Sequence, residues 1–308
     1  MRNKLKKFLH LFGQTSELER KYRRDLDDQK VLQGRLLANL NKINFNSITR
    51  LADVEFKVFS QWGDDGIIQW LISKLDIPNK TFIEFGVENY RESNTRFLLM
   101  NNNWQGLVID GSEEHIRFIK NDILSYAHHL HAKHAFITKE NINGLLSGLP
   151  FPSEVGILSI DIDGNDYWIW KEITTVNPVI IIVEYNAHFK LNPWTIPYKA
   201  DFTREINNAG MNYWGASLAS FVDLAGEKGY QFIGCNSAGN NAYFIRKDMM
   251  ADINPVTVEE GYEFAKFRET KDVMGEWVSD SQRLATMAGM QVFNTRTNVM
   301  EYITIGRK

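Results

Sequence analysis

The chain has 308 residues, of which 44% are hydrophobic and 24% charged, an ordinary globular balance that excludes wholesale disorder and leaves ample apolar material for one large core. Its net charge of -3 provides no general attraction for nucleic acid, so no nucleic-acid partner is expected. One cysteine, Cys235, excludes an intrachain disulfide and a cysteine-built zinc cluster; with no apolar run near the roughly 20 residues that span a bilayer, a cytoplasmic location is expected.

Residues 1–50 read as a polar, proline-free helical extension lying outside the main core. Its start interleaves Arg2, Lys4, Lys6 and Lys7 with Leu5, Phe8, Leu9 and Phe12, so residues 1–45 are a candidate contact with an anionic membrane surface or with another copy of the chain. Residues 51–250 are expected to form the core. A helix over 66–75 is followed by strands at 81–85, 106–110, 131–137, 155–160 and 179–184, with helices in the gaps. Short apolar strands alternating with amphipathic helices predict a doubly wound α/β fold with a mainly parallel, Rossmann-like sheet. Segments 230–235 and 242–246, joined by Asn236-Ser237-Ala238-Gly239-Asn240-Asn241, read as an antiparallel edge. Residues 251–308 read as a mainly helical C-terminal extension. It is expected to be helical over 255–290, with Val258, Tyr262, Phe264 and Phe267 as core contacts, and to end in a strand at 302–305.

Three strand ends carry the chemistry. The first strand delivers Glu84 and then Gly86, and glycine at that place lets the backbone approach a ligand. A full GxGxxG loop is missing, which argues against a dinucleotide and suits a cofactor without pyrophosphate. The second strand ends at Asp110, followed by Gly111 and Ser112, where an acid can accept both hydroxyls of a ribose. Capping of the helices that follow is the other reading of both acids. The fourth strand delivers Asp161, Asp163 and Asp166 to the same edge, and the fifth adds Glu184, with His188 just beyond. Like charges so close raise each other's pKa unless a cation or a positively charged substrate group offsets them, and Mg²⁺, which takes oxygen ligands, is one answer.

Other families with similar strings fit less well. An EF-hand needs glycine where Asp166 stands, and a haloacid-dehalogenase-type phosphatase would not be preceded by two strand-and-acid units. A DxD glycosyltransferase using Asp161 and Asp163 stays open. His128, His129, His131 and His134 read as structural or exposed, Asn192-Pro193-Trp194 as a loop, and Tyr213, Trp214, Tyr230 and Phe232 as core aromatics.

Residues 60–66 (SQWGDDG), 82–89 (FIEFGVEN), 107–112 (LVIDGS), 158–168 (LSIDIDGNDYW) and 181–186 (IIVEYN) together resemble the FkbM-type and related class I methyltransferases of bacterial glycan gene clusters. The likeness continues through 214–218, 228–230, 234–236 and 240–244, covering roughly 58–270. It implies that Glu84, Gly86, Asp110 and Ser112 bind S-adenosylmethionine, with Gln61 close by and Asp161 near the methyl group. Similar metal-dependent sugar methyltransferases would nominate Asp161, Asp163 and Glu184 for Mg²⁺. The expected activity is O-methylation of a sugar, nucleotide sugar or glycan acceptor in surface polysaccharide synthesis, with His188 and Asp161 as catalytic candidates. The alternatives are the glycosyltransferase and a non-catalytic scaffold of the same fold.

Overall fold

The computed structural model describes residues 2–43, 48–204, 211–266, 270, 276–278 and 280–304; the side chains of 2–17, 20, 280 and 281 lie outside that description, as does Phe267. In chain order the elements are α1 (Arg2–Ile43), α2 (Asp64–Lys74), β1 (Thr81–Phe85), α3 (Arg96–Asn102), β2 (Gln105–Asp110), α4 (Glu113–Asn121), α5 (Leu124–Ala127), β3 (Leu130–His134), α6 (Ile142–Leu146), β4 (Ile157–Ile160), α7 (Asp166–Glu172), β5 (Ile180–Glu184), β6 (Trp194–Thr195), α8 (Leu218–Glu227), β7 (Tyr230–Cys235), β8 (Asn241–Arg246), α9 (Val258–Gly261), α10 (Asp280–Thr286), β9 (Gln291–Asn294) and β10 (Val299–Tyr302).

Strand residues alternate between two hydrophobic layers because successive side chains leave opposite faces of a sheet. Ile83, Phe85, Leu158, Ile160, Ile181, Val183 and Phe244 enter one layer, with α6, α7 and α8. Phe82, Ile157, Ile180, Ile182, Tyr243 and Ile245 enter the other, with α2, α3 and α4. Burial on both faces is why these strands read as unbroken apolar runs. The sheet order is β3-β2-β1-β4-β5-β8-β7, with β1 to β5 parallel and β8 and β7 antiparallel. This is the doubly wound, Rossmann-like sheet with an antiparallel edge that the sequence predicts.

The order reverses between β1 and β4, so connections leave in opposite directions and open a crevice at the carboxyl ends of the strands. A second sheet, β10-β9-β6, covers the segment that follows β5. Its cluster joins Phe189, Ile196, Phe202, Tyr213 and Trp214 to Met287, Val292 and Ile303. In the C-terminal segment, helix is confined to α9 and α10 among the described residues, and a β9–β10 hairpin follows. Asn298, with φ of 57°, makes its turn. The last strand is therefore Val299–Tyr302, ahead of the expected 302–305, and Ile305 lies outside the described residues. Val258 and Tyr262 pack against the first layer as expected. Among the described residues no helix is long and apolar enough to cross a membrane.

Trp170 joins α7 to this core, its ring 5.1 Å from Phe244 and 6.0 Å from Phe221. Trp170→Ala is expected to cost about 3–5 kcal/mol in urea unfolding, the range for removing a large buried ring.

Candidate functional site

Gly86 follows β1 with φ of +70°, and a Cβ there would lie 1.5 Å from the carbonyl oxygen of Asp161. Only glycine lets the ends of β1 and β4 touch, so Gly86 and Asp161 share the floor of the crevice. The turn continues through Glu88 and Tyr90, both at positive φ. That conformation is costly for side-chain-bearing residues, and specific bonds offset it. The Glu88 N–H donates to Asp110 Oδ2 at 2.7 Å, and the Tyr90 carbonyl accepts from Arg96 Nη1 at 3.0 Å.

Asp110 stands at the end of β2 on the wall of the cleft, near Gly86, Ser112, His115, Phe136 and Asp161. Its Oδ1 accepts the Ser112 N–H at 2.8 Å. Oδ1 also lies 3.4 Å from His115 Nδ1, whereas Oδ2 accepts a single N–H and keeps a lone pair for a ligand hydroxyl. Ser112 caps α4, accepting the His115 N–H. Beside it, following β3, Phe136 lines the same cleft and is 47% exposed, its ring 3.5 Å from where a Cβ on Gly111 would stand.

Two expected cofactor residues are not on this wall. Glu84 is buried and accepts from Ser93 Oγ at 2.6 Å, the Asn94 N–H at 2.9 Å and both the N–H and hydroxyl of Thr95. Its carboxylate clamps the loop ahead of α3; burial raises its pKa against the lowering effect of those bonds. Gln61 is exposed, and its carbonyl accepts from Lys57 Nζ at 2.7 Å. Side-chain direction separates these two from Asp110, and a strand-end position in the sequence does not reveal it.

Asp161, Asp163 and Glu184 converge as expected, with one carboxylate oxygen from each lying within 4.8 Å of the others. Burial, followed by the charges of Asp163 and Asp166, pushes Asp161 well above the usual carboxylate range. Glu184 moves the same way, through burial and then Asp161, and the two side chains share a hydrogen bond. The pair therefore titrates as a unit and retains a proton. Asp163, at φ of 54°, meets Arg204 Nη1 at 2.6 Å, and that guanidinium stacks 4.6 Å from the Trp214 ring. Asp166 is structural: it accepts the Ile162 and Gly164 N–H groups, each at 2.9 Å, and burial raises it to about 6.

His188 sits in a short turn after β5, buried beside Phe264 and not on the cleft wall. Burial, then the charges of Arg283 and Arg204, lowers its pKa to about 4. It is neutral at pH 7 but a weak base. Tyr213, Trp214, Tyr230 and Phe232 are all buried, as core aromatics should be. Phe136, His115 and Asn165 line the cleft without having been singled out in the sequence. Phe136 and Asn165 follow parallel strands at the carboxyl edge and His115 lies in the first turn of α4, positions that the rule for such sheets would have flagged.

No family model matches the chain, and no curated protein does. Among solved structures it is similar to a putative caffeoyl-CoA O-methyltransferase from Staphylococcus aureus, at 13% identity and a TM-score of 0.41, over 74% of this chain and 99% of that one. It is similar also to a S-adenosylmethionine-dependent methyltransferase from Clostridium acetobutylicum, at 11% identity and 0.37, over 69% and 98%. A third is the N-terminal domain of EvdMO1, in the presence of SAH and D-fucose, at 10% identity and 0.34, over 54% and 73%. Likenesses this distant leave the assignment to the chain's own topology and cleft.

The His188 ring protons, followed by NMR, are expected to titrate near pH 4, about two units below an ordinary histidine. A midpoint near 6.5 would mean the ring is solvated and available as a base.

Proposed function

We propose that the chain is an S-adenosylmethionine-dependent O-methyltransferase acting on a hydroxyl of a sugar or glycan intermediate. The observation that carries the cofactor reading is Asp110, an acid fixed by two backbone N–H groups at the end of β2, beside the switch point and with acceptor capacity facing the cleft. That is the geometry that accepts a ribose diol. Gly86 supplies a floor without a side chain, and the half-exposed Phe136 ring supplies an apolar face for a purine. Bound there, the cofactor would supply an electrophilic methyl group on a sulfonium. Resemblance to methyltransferases of glycan gene clusters supports the choice of acceptor.

Methyl transfer asks the protein chiefly to align the acceptor oxygen, and then to take its proton. Asp161 is the better acceptor of that proton, because it lies in the cleft and its environment raises its basicity, whereas His188 is buried and weakly basic. The three carboxylates suit Mg²⁺ by donor type. Asp163 is engaged by Arg204, and Asp161 and Glu184 are hydrogen-bonded to each other, so an ion there would have to displace both contacts.

Calorimetric titration with S-adenosylhomocysteine is expected to give micromolar binding that weakens at least tenfold in Asp110→Ala, since two hydrogen bonds to a charged group are worth about 1.5–3 kcal/mol each. No binding by the unaltered chain, together with binding of a nucleotide sugar, would sink this reading in favour of the glycosyltransferase. Asp161→Asn should bind S-adenosylhomocysteine normally and lose turnover at least a hundredfold. In the unaltered enzyme kcat/KM should rise with pH as the Asp161–Glu184 pair gives up its proton, and should survive EDTA; abolition by EDTA with rescue by Mg²⁺ would restore the metal.

A further inference from the structure

Two faces of α1 are put to different uses. One is glued to the body. Asp27 meets Arg96 at 2.7 Å, Arg35 donates to Asn101 at 3.0 Å, and Asn41 donates to the Val54 carbonyl at 2.9 Å. Ala38 is buried, and a Cβ on Gly34 would fall 2.5 Å from Val58. The opposite face bears Tyr22, Leu26, Leu36, Leu40 and Ile43, all exposed, with Leu36 at 58% and Ile43 at 79%. Leu18, Leu32 and Leu37 flank them and are exposed too.

Their spacing is not that of scattered surface leucines. Positions 22, 26, 29, 33, 36, 40 and 43 advance by four and three residues in strict turn, the period of a coiled-coil seam. In the sequence the same register passes two polar positions, Glu19 and Thr15, before it meets Phe12, Phe8 and Leu5. From Leu18 to Ile43 the stripe is about 38 Å long and about 10 Å wide, a few hundred Å², at which size an exposed apolar patch marks an interaction surface. The seam lies opposite the body, so two copies can pair along it with both bodies outside.

We propose that this face of α1 forms a parallel, two-stranded coiled coil with a second copy of the chain. Charge and polarity along the seam favour that occupant. In a parallel pair the residue flanking the seam at 25 faces position 30 of the second copy, and 32 faces 37. Those contacts join Asp25 to Lys30 and Leu32 to Leu37, one opposite-charge pair and one apolar pair. Gln29 and Gln33 would each meet their own counterpart, where paired amides can bond across the seam and fix its register. An antiparallel pair that matches Leu26 with Leu36 would instead set Lys30 against Lys30. Lys30 also lies over the Phe59 ring, 5.7 Å from its centre, which holds it on the flank of the seam.

Sedimentation velocity of the full chain at micromolar concentration should give twice the chain mass. Leu36→Glu with Leu40→Glu should give a folded monomer with unchanged far-UV circular dichroism, because neither side chain is part of the body. Gln33→Cys should cross-link to its counterpart on mild oxidation in most molecules, since Cys235 is buried and does not compete. Asp25→Lys should weaken dimerisation at least tenfold, and adding Lys30→Asp should restore it. A monomeric unaltered chain, whether free or pelleting with phosphatidylserine vesicles, overturns the proposal. So does a dimer that survives the Leu36 and Leu40 changes, and a dimer in which position 33 does not cross-link overturns the parallel arrangement.

Discussion

Buried carboxylates that accept backbone N–H groups hold the loops over the carboxyl edge of the sheet. Asp65 takes the amides of Val58, Phe59 and Ser60 at 2.7–2.8 Å, Glu84 those of Asn94 and Thr95, Asp110 those of Glu88 and Ser112, and Asp166 those of Ile162 and Gly164. Each loop lacks strand partners for these donors, and an unpaired buried N–H costs about as much as a lost hydrogen bond. One negative group satisfies several at once. The crevice keeps its shape because each of its rims is tied to an acid rooted in a strand end or a helix start.

The same edge then divides its acids by surroundings. Glu84 and Asp166 have both oxygens bonded by the chain, and Asp65 gathers the Val58, Phe59 and Ser60 donors on one oxygen. Asp110 keeps acceptor capacity toward the cleft, and Asp161 is hydrogen-bonded to Glu184, with burial raising the pKa of both. On the proposed function, two environments on one edge thus separate a ribose-binding acid from a proton acceptor, with Arg204 bound to Asp163 beside the second. That separation is what a transfer reaction between a bound donor and a hydroxyl acceptor requires of a scaffold.

The strands and the mainly parallel character of the sheet were legible because burial on both faces writes long apolar runs, and each core strand was located to within a few residues. The convergence of Asp161, Asp163 and Glu184 was legible too, since parallel neighbours deliver their ends to one edge. Which acids face the cleft was not. Glu84 and Asp110 look alike in the sequence, and only the turn at 93–95 decides that Glu84 is turned away from the cleft. Gln61 fails for a similar reason: the loop preceding α2 is held by Asp65, which leaves the glutamine outside. The β9–β10 hairpin was obscured because its strands are four residues each and more than half exposed at several positions, so neither shows a clear alternation.

The contact between Gly86 and the Asp161 carbonyl separates two properties that active sites often confound. Asp161 shapes the floor through its main chain and, on the proposed function, would serve the reaction through its side chain. Exchange of the carboxylate therefore leaves the floor standing, whereas any residue larger than glycine at 86 would push the two strand ends apart while leaving every acid in the sequence intact. On the proposed function, shape resides at 86 and reactivity at 161, so altered acceptor preference can arise around the acid without remaking the surface on which the donor would rest.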